Sequence, residues 1–204
     1  MTPINQEEAT RVEAALREAQ ARSSARIVCV LARASSTYET LPLVWSALVA
    51  FLTPWPLLVL TEISAEHIYL FQLVAFVVAL GALSLPWLRP MLTPAPVRRA
   101  NAHRAALEQF VLRGVTRSAQ RNGVLIYVSL AEHFARVIAD DGAAKVIHQR
   151  EWQAIVNQLL SDMKDGATGE ALIGAGRRCA EILGRHFPAE DGATPPFLHC
   201  LHVV

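Results

Sequence analysis

Two long runs of uncharged residues constrain the fold of this chain more than any other feature. Residues 41–60 (LPLVWSALVAFLTPWPLLVL) and 68–88 (IYLFQLVAFVVALGALSLPWL) contain no Asp, Glu, Lys or Arg. A helix rising about 1.5 Å per residue carries each run roughly 30 Å, which is the thickness of a bilayer's hydrocarbon core. The sequence therefore predicts two transmembrane helices, with Pro54 and Pro56 kinking the first.

The connector between the two runs, TEISAEH, is short enough to require an antiparallel helical hairpin. A hairpin returns the chain to the side of the membrane that it left, so segments before and after it can build one domain. The alternative is a buried helical pair in a soluble protein. Two fully apolar runs of this length are rare in soluble domains, and the membrane hairpin is favoured.

Charges beside the runs predict their orientation. The connector holds Glu62 and Glu66 but no Lys or Arg, whereas the flanks are basic: Arg22, Arg26 and Arg33 before, and Arg89, Arg98, Arg99 and Arg104 after. Basic residues favour the cytoplasmic side. We therefore expect a multi-pass protein of the cell inner membrane with both termini in the cytoplasm.

Composition excludes several classes of protein. The formal net charge is +1, and no basic stripe with interleaved aromatic residues occurs, so nucleic acid is not an expected partner. Cys29, Cys179 and Cys200 are odd in number and lack CxxC spacing, which argues against a disulfide scaffold and a structural zinc site. The acidic N-terminus does not match a cleavable signal peptide.

A pair of strands between Asn122 and Gly142 is predicted to form the centre of the soluble part. Val124–Val128 is an unbroken apolar run, typical of a strand buried on both faces, and Phe134–Ala139 follows after a short turn. The β-branched run from Ala25 to Arg33 predicts a further strand. These elements predict an α/β fold in which helices pack on a small sheet.

Helical periodicity predicts the layers around this sheet. Asn5 and Glu8 have the spacing of a capping box at the start of the first helix. Later helices are predicted from stripes beginning at Trp152 and Leu172. Another is predicted from Arg98 to about Ala119, on a stripe of His103, Leu107, Phe110, Val111 and Val115. The sequence predicts that residues 1–40 and 89–188 form the α/β domain, residues 41–88 the hairpin and residues 189–204 a flexible tail. Residues 89–99, at the start of the second part of the α/β domain, are rich in proline and are predicted to be an irregular spacer.

Together, the strand RIVCVLA, the segment NGVLIYVSLAEHFARVIADDG and the Trp-containing helix resemble the TPM domain family. This family includes thylakoid-lumen photosystem II repair proteins and a nematode receptor modulator. The resemblance implies an α/β sandwich with a small central sheet and helices on both faces and, in most members, a membrane anchor. Some members are assigned acid phosphatase activity, and some bind a divalent cation through acidic residues near the sheet ends. Most TPM domains lie outside the cytoplasm, whereas the charge pattern here predicts the inside.

At the positions that match the family, the acidic residues are Glu132, Asp140 and Asp141. The resemblance implies these three as ligands for calcium or magnesium, although Asp-Asp-Gly after a strand is usually a turn. His133 is either a metal or phosphate contact or an exposed turn residue. The cluster His199-Cys200-Leu201-His202 is short of a closed zinc site, and Ser129 lacks a GxSxG elbow.

Two hypotheses of function follow. In the favoured one, the chain is a non-catalytic, membrane-anchored module whose partners are the lipid bilayer and an unidentified protein. In the alternative, it is a divalent-cation-dependent phosphatase that uses Glu132, Asp140 and Asp141. No residue is assigned a catalytic role, and no organic cofactor is expected.

Overall fold

The computed structural model describes residues 4–35, 40–60, 64–85, 94–118, 120–164, 166–189 and 200–204. They fall into two compact units, of which one contains Met1–Ser35 and Arg99–Val204 and the other Ser36–Arg98. The helices are α1 Gln6–Gln20, α2 Thr40–Leu52, α3 Pro54–Leu60, α4 Ala65–Leu83, α5 Ala95–Leu112, α6 Asp141–Val146, α7 Gln149–Lys164 and α8 Thr168–His186.

The first unit is built on a mixed sheet of β1 Ile27–Ala32, β2 Val124–Ser129, β3 Phe134–Ala139 and β4 Leu201–Val203. Its strand order is β3-β2-β1-β4. Strand β1 is parallel to β2 and β4, whereas β2 and β3 form the predicted antiparallel pair. Ile27 lies opposite Val124, so strands encoded on either side of the apolar runs meet in one sheet, as predicted.

Helices cover both faces of this sheet, which confirms the predicted α/β sandwich. Alternate residues of β1 and β2, such as Cys29 and Ile126, pack on one face against α1, α7 and α8. Residues of the opposite face, such as Val30 and Tyr127, pack against α5. All residues of β1 and β2 are buried, as expected for central strands with helices on each side.

The capping box predicted for α1 is present. The Asn5 side chain accepts a hydrogen bond from the Glu8 backbone N–H at 2.7 Å, and the Glu8 carboxylate accepts one from the Asn5 N–H at 3.0 Å. These two bonds satisfy backbone donors that have no partner within the helix. The buried face of α1 carries Val12, Leu16 and Ala19.

Helix α5 differs from its prediction in both position and face. It begins at Ala95, inside the segment predicted to be an irregular spacer, because the first turn of a helix tolerates a proline such as Pro96. Phe110 of the predicted stripe is buried, together with Ala102 and Ala106, whereas Leu107 and Val111 of that stripe are exposed. Alanines permit a close approach to the sheet, but they contribute a weak periodic signal.

That helix is also shorter than predicted. It ends at Leu112 instead of continuing to about Ala119, because Gly114 adopts a left-handed conformation with φ of 58°. This conformation costs glycine little, and it stops the helix. A short 3-10 helix, Val115–Arg117, follows.

The C-terminal residues correct the prediction of a flexible tail from 189 to 204. Residues 190–199 lie outside the described residues, but Leu201–Val203 form β4 at the edge of the sheet. The Glu13 carboxylate of α1 accepts hydrogen bonds from the backbone N–H groups of Cys200 at 2.8 Å and Leu201 at 2.6 Å. Glu13 lies almost the whole chain away from Cys200 and Leu201 in sequence, so the local sequence contains no signal for this strand.

The second unit consists of the apolar helices. The first apolar helix is interrupted at Thr53, which separates α2 from α3. The break lies immediately before Pro54, where the sequence predicted a kink. Helix α4 begins at Ala65, three residues before its predicted start at Ile68. It packs against α2 and α3, so the two apolar segments contact each other. Helix α4 ends at Leu83, so Ser84 and Leu85 of the predicted second span lie beyond it. The last residues of that predicted span, 86–88, lie outside the described residues.

Candidate functional site

Glu132 occupies the end of the sheet at which β1 and β2 finish. Its carboxylate accepts hydrogen bonds from the Ser35 backbone N–H and hydroxyl, each at 3.1 Å, and from the Ser129 hydroxyl. The Ser35 hydroxyl also lies 3.2 Å from the Tyr127 hydroxyl. Burial raises the pKa of Tyr127, and the nearby Glu132 charge raises it further. Glu132 therefore ties the chain after β1 to the turn after β2.

Asp140 and Asp141 lie at the opposite end of β3. Asp140 is buried and caps α6, its side chain accepting a hydrogen bond from the Asp141 backbone N–H at 2.8 Å. Arg121 pairs with both carboxylates, at 3.3 Å from Asp140 and 2.9 Å from Asp141. The Asp-Asp-Gly segment expected to be a turn is thus the start of a helix, because Asp140 is a good N-cap residue.

The structure does not bring the three predicted metal ligands together. Glu132 precedes β3 and Asp140 follows it, and a six-residue strand spans about 20 Å. Among the described residues, no group of three or more His, Cys, Asp or Glu side chains is placed to hold a metal ion. The set of Glu132, Asp140 and Asp141 therefore does not fit one cation.

The histidine and cysteine candidates are also separated. His133 is an exposed residue of the β2–β3 turn with φ of 51°. His199 lies outside the described residues, and Cys200 is buried with its thiol 3.1 Å from the Gln20 side-chain oxygen. Burial raises the pKa of Cys200 to about 11 and that of Cys179 to about 12, so both thiols are protonated and unreactive at neutral pH.

A groove of about 340 Å³ runs beside β3, at a site that the sequence did not indicate. It is lined by β3 and its preceding turn, by one stripe of α7, and by the start of α5: Arg99, His133, Phe134, Ala135, Arg136, Val137, Gln149, Trp152, Gln153, Val156 and Leu160. Trp152 begins the apolar stripe predicted for this helix, and it is 4% exposed. Its indole N–H is nevertheless buried without a hydrogen-bond partner in the described part of the chain.

The second unit exposes its apolar residues. Two segments, Pro42–Leu60 and Ala65–Leu83, are long and apolar enough to cross a membrane, as judged by length and composition. Only 11% and 6% of their most apolar windows are buried within the protein. Large side chains such as Phe51, Trp55 and Tyr69 are exposed. Soluble proteins rarely expose apolar patches of this extent.

Comparison with known proteins bears on the α/β unit. Residues 96–182 match the family model described as the TPM domain. The chain carries a TPM domain. The matched segment runs from α5 to α8 and includes β2 and β3, whereas β1, which pairs with β2, precedes it along the chain. The resemblance expected from the segment Asn122–Gly142 is thereby confirmed.

A solved structure has the same fold as this chain. It is the NMR structure of the BA42 protein from the psychrophilic bacterium Bizionia argentinensis, with a TM-score of 0.62. Sequence identity is 15%, and the match covers 100% of this chain and 97% of that one. At this identity the likeness shows the fold alone. No curated protein matches the sequence.

Proposed function

We propose that this protein is a membrane-anchored TPM module whose α/β unit binds a protein partner without catalysing a reaction. The observation that carries the anchoring is the exposure of apolar side chains along Pro42–Leu60 and Ala65–Leu83. In water, this surface would be unfavourable by about 25 cal/mol for each Å² of apolar area. A bilayer removes that cost, and each span of 19 residues has a helical length of about 28 Å, close to the bilayer thickness.

Charge supports one orientation in a bacterial inner membrane. Glu66 in the connector is exposed, and the connector contains no Lys or Arg. Arg22, Arg26 and Arg33 precede the hairpin, and Arg98 follows it. The positive-inside rule places the connector outside and both termini, with the TPM domain, in the cytoplasm.

The positions of the carboxylates favour a binding role over phosphatase chemistry. A cation that polarises a phosphoryl oxygen needs several oxygen ligands at one point. Glu132 is engaged by Ser35 and Ser129 at one end of β3, and Asp140 is engaged by Arg121 at the other. These contacts hold loops to the sheet, and we assign the three carboxylates a structural role.

A flotation experiment tests the anchoring. The full chain, expressed in bacteria, is expected to float with membranes in a density gradient and to stay with them after a carbonate wash. A matched variant in which residues 40–85 are replaced by a Gly-Ser linker is expected to lose this association. Release of the full chain by carbonate would overturn the anchoring.

A crosslinking scan tests the partner. A photoreactive phenylalanine analogue is placed in the full chain at one exposed position on each of α1, β3 and α8: Thr10, Arg136 and Glu181. In the cell of origin, we expect a discrete crosslinked product from at least one position. Products from none of them, together with phosphatase turnover that needs Glu132, Asp140 or Asp141, would replace the binding role with the enzymatic one.

A further inference from the structure

We propose that the groove beside β3 binds an extended peptide that adds to the sheet as a fifth strand, with acidic side chains on one face and apolar side chains on the other. This inference rests on the proposed binding role and names its site and the chemistry of the partner. The groove is defined by β3, the α7 stripe of Trp152, Val156 and Leu160, and Arg99 at the start of α5.

The outer edge of β3 is open for pairing. In the described part of the chain, β3 pairs only with β2, at the end of the strand order. The Asp140 backbone N–H donates to the Gly123 carbonyl at 2.8 Å, and hydrogen-bonded pairs alternate along an antiparallel ladder. The backbone groups of Ala135 and Val137 therefore face away from β2, and both residues line the groove. An added strand would bond to them.

The two walls of the groove have different chemistry. Residues of β3 alternate between the faces of the sheet: Ala135 and Val137 lie on the side of α7, and Phe134 and Arg136 on the side of α5. The α7 wall carries the apolar side chains of Trp152, Val156 and Leu160 beside the polar side chains of Gln149 and Gln153. The other wall carries Arg99 and Arg136, which are exposed and form no ion pair among the described residues. A strand seated here meets apolar groups on one face and guanidinium groups on the other.

Trp152 provides an independent indication of a ligand. Its side chain is almost fully buried, yet its indole N–H has no hydrogen-bond acceptor within the described residues. Buried donors are nearly always paired, and tryptophan N–H groups commonly find their partner at an interface. An arginine on an edge strand also protects against aggregation. That protection accounts for Arg136 but not for the unpaired Trp152 N–H.

A second copy of the chain does not suit the same edge. Two β3 strands paired edge to edge would bring Arg99 and Arg136 of one copy close to the same residues of the other. Like charges at an interface oppose association. An acidic partner instead neutralises them, and the occupant we infer is a peptide with alternating Glu or Asp and apolar residues.

The test uses the full chain in detergent micelles and a fluorescent eight-residue peptide of alternating Val and Glu, with binding followed by fluorescence anisotropy. We expect saturable binding that weakens at least tenfold in Arg136→Glu. The matched control Arg150→Glu, on an exposed position of α7 outside the groove, is expected to bind as the wild type does. The corresponding Val-Lys peptide should prefer Arg136→Glu over the wild type.

Backbone methylation distinguishes strand addition from simple charge attraction. Two peptides carry N-methyl groups on alternate residues, one set on Val and the other on Glu. Because alternate N–H groups of a strand point to the same edge, one set should abolish binding and the other should leave it intact. Equal binding of both peptides, unchanged binding to Arg136→Glu, or an Arg136-dependent dimer would overturn the proposal. If peptide binding fails while position 181 still crosslinks to a partner, the groove is wrong and the binding role stands.

Discussion

Glu132 joins two loops of the α/β unit through one carboxylate. Because Ser35 and Ser129 both donate to it in a half-buried setting, we expect Glu132→Ala to lower the free energy of unfolding by about 1–3 kcal/mol. Glu132→Gln keeps one acceptor oxygen and should lose less. Thermal unfolding in detergent micelles measures both.

The same melting experiment tests the metal hypothesis. Calcium or magnesium is not expected to raise the melting temperature of the wild type, since the three carboxylates lie at opposite ends of β3. A cation-dependent increase that disappears in Glu132→Gln would contradict the structural role of this residue.

Because burial raises the pKa of Cys179, we expect the free energy of unfolding to fall at alkaline pH. Burial raises the pKa of Cys179 to about 12, above the ordinary value of 9.0, so the folded state holds this proton more tightly than the unfolded chain. Cys179 leaves the free energy of unfolding unchanged below pH 9. As pH rises from 9 toward 12, it lowers the free energy of unfolding by up to about 1.4 kcal/mol per pH unit. Denaturation from pH 8 to 10 should show a smaller slope in Cys179→Ala. An unchanged slope would exclude this thiol as a source.

At the scale of elements, β4 depends on a residue of α1. Glu13→Ala removes the acceptor for the backbone N–H groups of Cys200 and Leu201, and we expect residues 200–204 to exchange amide hydrogens much faster. The control Glu18→Ala, also on α1, loses only an exposed pair with Arg22 and should leave exchange unchanged. Equal exchange in both variants would show that Glu13 does not hold the strand.

We expect a charge introduced at the middle of α4 to disfavour its insertion into the membrane. Val74 lies at the middle of Ala65–Leu83 and is half exposed. An arginine at the centre of a transmembrane helix disfavours insertion by about 2.5–3.5 kcal/mol. We expect Val74→Arg to lower the carbonate-resistant fraction, with Val74→Leu as the control. Equal membrane retention of the two variants would contradict a transmembrane α4.

Elements whose signal is local could be predicted from the sequence. The strands around Asn122–Gly142, the capping box of α1 and the helix break before Pro54 all depend on neighbouring residues. Strand β4 and the buried face of α5 depend on distant partners or on small alanines, and local periodicity does not reveal them. The separation of Glu132 from Asp140 could have been predicted, because six strand residues already imply about 20 Å.

The groove beside β3 could not be predicted from the sequence, for a different reason. The spacing of Trp152, Val156 and Leu160 predicts an apolar stripe, but nothing in it shows that the neighbouring strand lies at the edge of the sheet. Strand order determines that position, and strand order follows from the pairing of β1 with both β2 and β4. A core stripe and a groove wall therefore have the same sequence pattern.

For the whole molecule, the central claim is that the hairpin crosses the membrane and leaves the TPM domain in the cytoplasm. Single cysteines at Glu66 and Arg150, both exposed in the wild type, can report it through a membrane-impermeant maleimide. The native thiols Cys29, Cys179 and Cys200 are buried and give little background.

Labelling of intact cells is the most direct measurement of this topology. The account predicts that Glu66→Cys is labelled from outside, and that Arg150→Cys is labelled only after the inner membrane is permeabilised. Labelling of Arg150→Cys in intact cells, with Glu66→Cys protected until permeabilisation, would contradict it.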